Sequence, residues 1–407
     1  MLNPNTNERE LAYLVRIDEL RNIEGYDRVE HARIGGWWVI VKKDQFKVGD
    51  PAVYIEVDAK APEKEPFMFL EKRHFKVKTL KMCKVISQGL LMSLEDFGWK
   101  LRGDNSNVVI MNTGLDDYLE IGDFVTQLLG ITYAEAEDNK RKAKSADKYK
   151  LMAQRNNKLF SKPLFRWLMR REWGKKLLFV FFGKKKDKKN GWPAWVVKTD
   201  EERCQNMPWL FPGNDEEWIA TEKVDGTSTT FTMKGFGRGR QFYICSRNVV
   251  FDKPDKNCYY DTNVYTEMAE KYNIEKVLEE ILFRYSAVCN FVTIQGETYG
   301  EAVQRRDYGL KGRDFKAFNV ILGYEDGHTE RLNPMEMKEL LDEFKVPTVD
   351  IVDEHFKIPA TCEELLVLAG GPSAIDGGMR EGLVFRSYDG ARSFKAVDNN
   401  FLLKYHG

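Results

Sequence analysis

Between residues 134 and 190 the sequence changes character, and that change constrains what the chain can fold into. AEAEDNKRKAKSADKYKLMAQRNNK is highly charged, and FRWLMRREWGKKLLFVFFGKKKDKK then mixes aromatics with clustered lysines. A run this polar reads as a helical or loosely ordered connector with a solvated face. Basic side chains interleaved with aromatics also suit contact with RNA, and an apolar face flanked by lysines suits a membrane surface. Either way, the sequence on each side must build its own core. At 407 residues the chain is long enough for that.

The first segment, residues 1–133, reads as short strands separated by turns. AYLVRI (12–17), RVEHARI (28–34), WWVIVKK (37–43), AVYIEV (52–57) and VKTLKMCKVIS (77–87) are rich in β-formers. Gly35-Gly36 and Val48-Gly49-Asp50-Pro51 fit tight turns between them. Short strands with regular turns predict a small closed barrel. In residues 191–407, strand-like runs such as STTFTM, QFYICS, FVTIQGE, AFNVILG and GLVFRS alternate with amphipathic stretches. Helices are expected over 266–287 and 333–345, the latter capped by Asn333 with Pro334 in its first turn. The fold class expected is α+β.

Composition narrows function mainly by exclusion. The 63 basic and 63 acidic side chains balance, so a uniformly basic coat is absent, although a local basic groove is still allowed. Neither the six cysteines nor the five histidines show metal-ligand spacing. Scattered thiols and a polar N-terminus predict an intracellular protein, cytoplasmic or nuclear, with no secretion signal. No apolar run approaches the roughly 20 residues that span a bilayer.

The sharpest local signal is Glu222-Lys223-Val224-Asp225-Gly226-Thr227. A lysine that attacks phosphorus must first lose a proton, against a reference pKa of about 10.4. Positive charge nearby depresses that value. In an extended segment Asp225 points to the same side as Lys223 and can hold a metal or its waters. Gly226 permits a tight turn and close approach to a nucleotide. Alone, such a short pattern is weak and reads first as a surface turn. Further elements follow in order: Ser246-Arg247-Asn248, Gly296-Glu297-Thr298-Tyr299-Gly300, Phe315-Lys316-Ala317-Phe318, Glu381-Gly382-Leu383-Val384-Phe385 and Ser393-Phe394-Lys395. Glu297 and Glu381 lie at apolar strand-like runs, where a carboxylate is costly unless paired or bound to a metal. Arg247 and Lys395 supply the positive charge that triphosphate transfer needs. Gly235-Phe236-Gly237-Arg238-Gly239 lacks phosphate-loop spacing and reads as a hairpin.

This series resembles motifs I, Ia, III, IIIa, IV and V of the covalent nucleotidyltransferases, a superfamily of RNA ligases, DNA ligases and mRNA capping enzymes. The finer resemblance is to ATP-dependent RNA ligases of the Naegleria type, which carry an OB module ahead of the transferase domain. WWVIVKKDQFKVGDPAVYIEVD, SQGLLMSLEDF, KTDEERCQN and SFKAVDNNFLLK are similar to stretches of that family. The resemblance implies an OB-like barrel over 1–133, a connector over 134–190 and an adenylation domain of the ATP-grasp-like ligase type over 191–407. The sequence ends soon after Lys404, without the C-terminal OB domain of DNA ligases and capping enzymes, which favours RNA ligase. Two departures are a long 134–190 connector and Asn319, where an acidic residue is expected.

By the same resemblance, Lys223 attacks the α-phosphate of ATP, Lys395 helps expel pyrophosphate, and Arg247 contacts the ribose or the incoming 5′-phosphate. Asp225, Glu297 and Glu381 surround Mg2+ or Mn2+, mostly through its waters. Phe318 stacks on the purine, Glu222 offers its backbone to the base edge while its side chain is incidental, and Arg203, Gln205 and Asn206 line the nucleotide pocket. Lys404 is a weaker phosphate candidate. Structural ion pairs and core packing are the competing roles for these residues. The implied substrate is nicked or broken RNA with 3′-OH and 5′-phosphate ends, handled by a monomer. The alternatives are a GTP-dependent capping enzyme and an RNA-binding protein with a decayed site.

Overall fold

A computed structural model of the chain describes residues 1–3, 9–103, 106–111, 118–134, 162–182, 192–198, 200–211, 215–247, 249–251 and 263–406. In the N-terminal part, the β-forming runs pair as antiparallel strands. Ala12–Arg16 lies against Pro51–Ile55, which pairs in turn with Leu90–Ser93. Tyr26–Ile34 and Trp37–Lys42 form the hairpin expected at Gly35-Gly36, with Gly35 at φ 57°. The run 77–87 is not one strand. Cys83 and Lys84 adopt φ values of 53° and 66°, so it folds back as the hairpin Thr79–Met82 and Val85–Gln88. Two apolar clusters fill this half, one around Ile17, Trp37 and Tyr54, the other around Phe67, Val109 and Val125.

Of the connector, Pro163–Met169 and Glu172–Phe182 are helices. Residues 135–161 and 183–191, which carry most of the charged run read as an RNA contact, lie outside the described residues.

Two sheets build the C-terminal part. The six-stranded antiparallel sheet has the order Val250–Phe251, Gln241–Ser246, Thr227–Lys234, Cys289–Gly300, Arg313–Tyr324, Thr329–Arg331. The five-stranded sheet runs Glu202–Arg203, Ser393–Val397, Gly382–Arg386, Glu217–Lys223, Ile351–Lys357. Helices Val264–Lys271, Ile274–Arg284 and Pro334–Asp342 pack on the outer face of the first through Phe231, Met233, Val292, Ile294 and Phe315. Helix Cys362–Ala369 packs on the second through Trp218, Leu383, Phe385 and Phe394. Strand side chains alternate, so burying these residues outward turns Lys223, Val384 and Lys395 inward from one sheet. The same alternation turns Thr293, Gln295 and Glu297 inward from the other. Arg386 crosses the gap, donating from Nη1 to the Phe318 carbonyl at 2.8 Å.

Local chemistry explains where elements stop. The single helix expected over 266–287 is two, because Asn273 takes a left-handed conformation (φ 49°) between them. Asn333 and Glu336 form a reciprocal capping box, with Pro334 in the first turn, as the sequence predicts. Strand pairing jumps from Gln295 opposite Asn319 to Gly296 opposite Ala317, leaving Phe318 as the extra residue of a bulge. Residues turned to the core switch accordingly, from Phe315 and Ala317 to Val320 and Leu322. The glycine-rich run 235–239 is the hairpin between Thr227–Lys234 and Gln241–Ser246.

Candidate active site

Lys223 ends its strand opposite Gly382, which brings the preceding Glu381 beside it: Nζ and Oε1 are 2.7 Å apart. Only glycine fits at 382, since an added Cβ would lie 2.2 Å from the Ala396 carbonyl oxygen. Glu297 enters from the facing sheet, fixed by its pairing with Ser228. Val224 is buried in the core between Lys223 and Asp225, and the Asp225 N–H donates to the Tyr308 hydroxyl at 2.7 Å. The turn then passes so close to the glutamate strand that a Cβ on Gly226 would lie 2.3 Å from the Thr298 carbonyl oxygen. The bare backbone at Gly226 thus serves an approach between two segments of this chain.

A second group lies along the same cleft. Lys395 Nζ is 2.8 Å from Asp200 Oδ1, and Arg247 donates from Nη2 to Asp200 Oδ2 at 3.0 Å. The Arg247 guanidinium also sits 5.2 Å from the ring centre of Tyr133, at the end of the N-terminal module. Strand Glu202–Arg203 runs parallel to the Lys395 strand, pairing Arg203 with Lys395.

Other expected site residues have different surroundings. Arg203 reaches to Asp58 of the N-terminal module at 2.9 Å. Gln205 is buried beneath Gly36, where an added Cβ would be 2.6 Å from the Gln205 Cα. Asn206 accepts from Trp37 Nε1 at 2.6 Å and donates to Glu56 and Glu202, each at 2.8 Å. The segment 200–206 is therefore also the seam between the two halves. The Glu222 side chain is far from incidental: it is buried and accepts from Ser373 Oγ at 2.5 Å and the Ala374 N–H at 2.7 Å. Its backbone N–H already donates to the Asp350 carbonyl at 2.8 Å. Phe318 is half-buried, while its neighbour Asn319 is fully buried and donates to Gln295 at 3.0 Å. Lys404 is exposed, its ammonium 4.9 Å from the centre of the Tyr405 ring.

Electrostatics divides the cleft in two. Around Lys223, burial favours the neutral amine, but Glu381, then Glu297 and Asp225, outweigh it and hold the lysine pKa above its usual value. Burial pushes the Glu297 carboxyl up to about 8, helped by Glu381 and Asp225 and opposed by Lys223 and Arg247. Three carboxylates thus face one ammonium. Around Lys395 the balance reverses. Burial brings its pKa down to about 8, and the nearby Arg9, Arg203 and Lys223 act in the same direction against Asp200. For Asp200, burial favours the neutral acid, yet Lys395, Arg9 and Arg247 keep its carboxyl well below the usual range.

Among the described residues, no group of three or more His, Cys, Asp or Glu is arranged to grip a metal directly. The chemistry of Asp225, Glu297 and Glu381 still suits a hard divalent cation that keeps its waters. These are oxygen donors with surplus negative charge, and Glu297 is costly to ionise without a further cation.

Asp200, Arg9 and Tyr308 are not among the residues that the motifs single out. Asp200 lies within KTDEERCQN, but as one of three consecutive acidic residues it carries no mark of its own, and Arg9 and Tyr308 belong to no motif.

Residues 216–406 match the RNA ligase family model, and residues 11–94 match an OB-fold domain model. No curated protein matches the chain. Among solved structures, a mutant Naegleria gruberi RNA ligase with ATP and Mn is 25% identical, with a TM-score of 0.69 over 98% of this chain and 100% of that one. Another mutant form with AMP and Mn is 25% identical, with a TM-score of 0.68 over 98% and 99%. The same organism's RNA ligase with PPi is 24% identical, with a TM-score of 0.67 over 97% and 98%. The chain thus places an OB-fold domain ahead of a domain of the RNA ligase family, and in that domain Lys223, Glu297 and Glu381 meet across one cleft.

Proposed function

We propose that the chain is an ATP-dependent RNA ligase that joins a 3′-OH to a 5′-phosphate through a lysyl–AMP intermediate on Lys223. The observation that carries this reading is the position of Lys223, held at 2.7 Å by Glu381 between two sheets, with acidic groups on one side and basic groups on the other. The similar RNA ligases solved with ATP and Mn, AMP and Mn, or PPi support the same chemistry.

In the first step the free Lys223 amine attacks the α-phosphorus. A phosphorus–nitrogen bond forms, and pyrophosphate leaves with the electron pair of the broken P–O bond. Lys395 and Arg247 offset the charge gathering on the leaving group. The Glu381 contact keeps Lys223 protonated at rest, so the pair must separate before attack. Bound through Asp225, Glu297 and Glu381, a Mg2+ or Mn2+ ion would supply positive charge that lowers the lysine pKa and balances these carboxylates. In the second step an oxygen of the RNA 5′-phosphate attacks the lysyl adenylate, and Lys223 leaves and regains a proton. In the third, the RNA 3′-OH attacks the adenylated 5′-phosphate, forming the phosphodiester and releasing AMP. Phe318 is assigned the purine face, and the Glu222 backbone the base edge.

The domain limits proposed are 1–133, 134–190 and 191–407, and the setting is repair of broken RNA by a monomer inside the cell. Among the described residues, no helix is long and apolar enough to cross a membrane. Nick sealing tests the proposal: a duplex RNA with one end-labelled 5′-phosphate nick should become full-length product with ATP and a divalent cation. Transfer of GMP to a diphosphate RNA end, without sealing, would replace this reading with a capping enzyme.

A further inference from the structure

Three cations converge on one carboxylate. Arg9 Nε donates to Asp200 Oδ2 at 2.8 Å, Arg247 Nη2 to the same oxygen at 3.0 Å, and Lys395 Nζ to Oδ1 at 2.8 Å. Both oxygens are thereby committed, and the Asp200 side chain is only 17% accessible. Arg9 is held from behind as well: Nη2 donates to the Glu201 carbonyl at 3.0 Å, and Nη1 lies 3.4 Å from Glu56 Oε2. Glu56 and Glu202 also face Arg9, at 3.4 and 3.7 Å, but Lys395 and Arg247 share the single Asp200 carboxylate, so a surplus suited to a pyrophosphate leaving group lies with those two. Asp200 itself would repel phosphate. Its effect on phosphate transfer must therefore act through the side chains it holds.

We infer that Asp200 is a positioning residue for lysine adenylation, fixing Lys395 and Arg247 against the departing pyrophosphate and taking its own anchorage from Arg9. Built on the proposed function, this adds a group outside the motif series to the working site. It also gives the N-terminal module a defined link to the phosphate end of the cleft. Arg9 restrains Asp200, and Asp200 restrains two cations, Lys395 on the strand Ser393–Val397 and Arg247 just past the strand Gln241–Ser246. Loss of the carboxylate charge leaves Lys395 among Arg9, Arg203 and Lys223 without its counter-ion, so Lys395 gives up its proton at lower pH.

The test is the pH dependence of lysyl–AMP formation, with the ATP concentration dependence measured at each pH, in wild type, Asp200→Asn and Asp200→Glu. For Asp200→Asn, the expected result is an alkaline limb moved to lower pH and a KM for ATP raised roughly tenfold. Asp200→Glu should restore the limb at least in part, because it returns the charge. An Asp200→Asn protein with the wild-type pH limb and KM would overturn the inference, even if its Tm had fallen, since that is what a purely structural residue would give. Should Asp200→Asn not fold, Arg9→Lys takes its place. It keeps the charge but loses the branched grip, and must move KM in the same direction for the inference to stand. Wild-type protein that forms no adduct at any pH would instead refute the proposed function.

Discussion

Replacing Gly226 by alanine probes how closely the lysine turn and the glutamate strand must approach. The added Cβ would lie 2.3 Å from the Thr298 carbonyl oxygen, 3.0 Å from its carbon and 2.9 Å from Glu297 Cγ. Comfortable contacts of this kind need roughly 3.5 Å, so one segment must move by about an ångström. Two of the three clashing atoms are backbone, and the pairing of Thr227 with Thr298 resists that movement. Overpacking of this sort costs about 1–3 kcal/mol. At about 2–4 °C per kcal/mol for a domain of this size, Tm should fall by roughly 2–12 °C. The same shift moves Glu297 relative to Lys223, and a misplacement of about an ångström can cost roughly 100-fold in rate. Thermal unfolding followed by circular dichroism, together with single-turnover formation of the lysyl–AMP adduct, measures both effects. Gly239→Ala is the control, because its added Cβ meets nothing within 4 Å. A Gly226→Ala protein with wild-type Tm and wild-type adduct rate would refute the claim that this approach shapes the site.

Glu297 makes stability depend on pH. Its folded pKa, about 8, is above the reference 4.5, so the stability linked to its protonation is full below 4.5 and is lost as pH rises through 8. Without a divalent cation, raising pH from 5 to 8 should lower Tm more in wild type than in Glu297→Gln; equal slopes would contradict the assignment. Mn2+ should raise the Tm of wild type at pH 8 and do so less in Glu297→Gln or Glu381→Gln, a difference read by the same melts. Asn206→Ala removes bonds to Trp37, Glu56 and Glu202 at the seam and should cost about 1–3 kcal/mol in urea unfolding. Arg386→Leu leaves Glu201 facing Arg331 at 3.9 Å and frees the Phe318 carbonyl, so a loss of about 3–5 kcal/mol is expected in the same experiment.

The parts of the molecule legible in the sequence are those fixed by local rules. Glycine pairs and Asn-Pro mark turns and caps wherever backbone conformation alone decides, as at Gly35 and at Asn333-Pro334. The ordered motifs also bring Lys223 and Glu381 together, because their strands pair in register. Features set by tertiary packing were less visible. Cys83-Lys84 carries no glycine, so its hairpin turn left no mark, and Asn273 breaks a helix whose apolar periodicity runs on past it. The bulge at Phe318 depends on pairing with a strand some 20 residues away in sequence. Asp200 and Arg9 meet across 191 positions, and neither residue type is unusual where it stands. Arg203 and Gln205 lie in a stretch with the right family signature, yet the Arg203 side chain reaches Asp58 and the Gln205 backbone packs on Gly36 of the other module. No spacing rule could have indicated that.

The most direct measurement is incubation with α-labelled ATP and Mg2+, followed by digestion and mass spectrometry of the labelled peptide. The account predicts AMP linked through the side-chain nitrogen of Lys223, absent in Lys223→Ala and released by pyrophosphate. Label on another residue, or a Lys223→Ala protein that forms the adduct as wild type does, would contradict it.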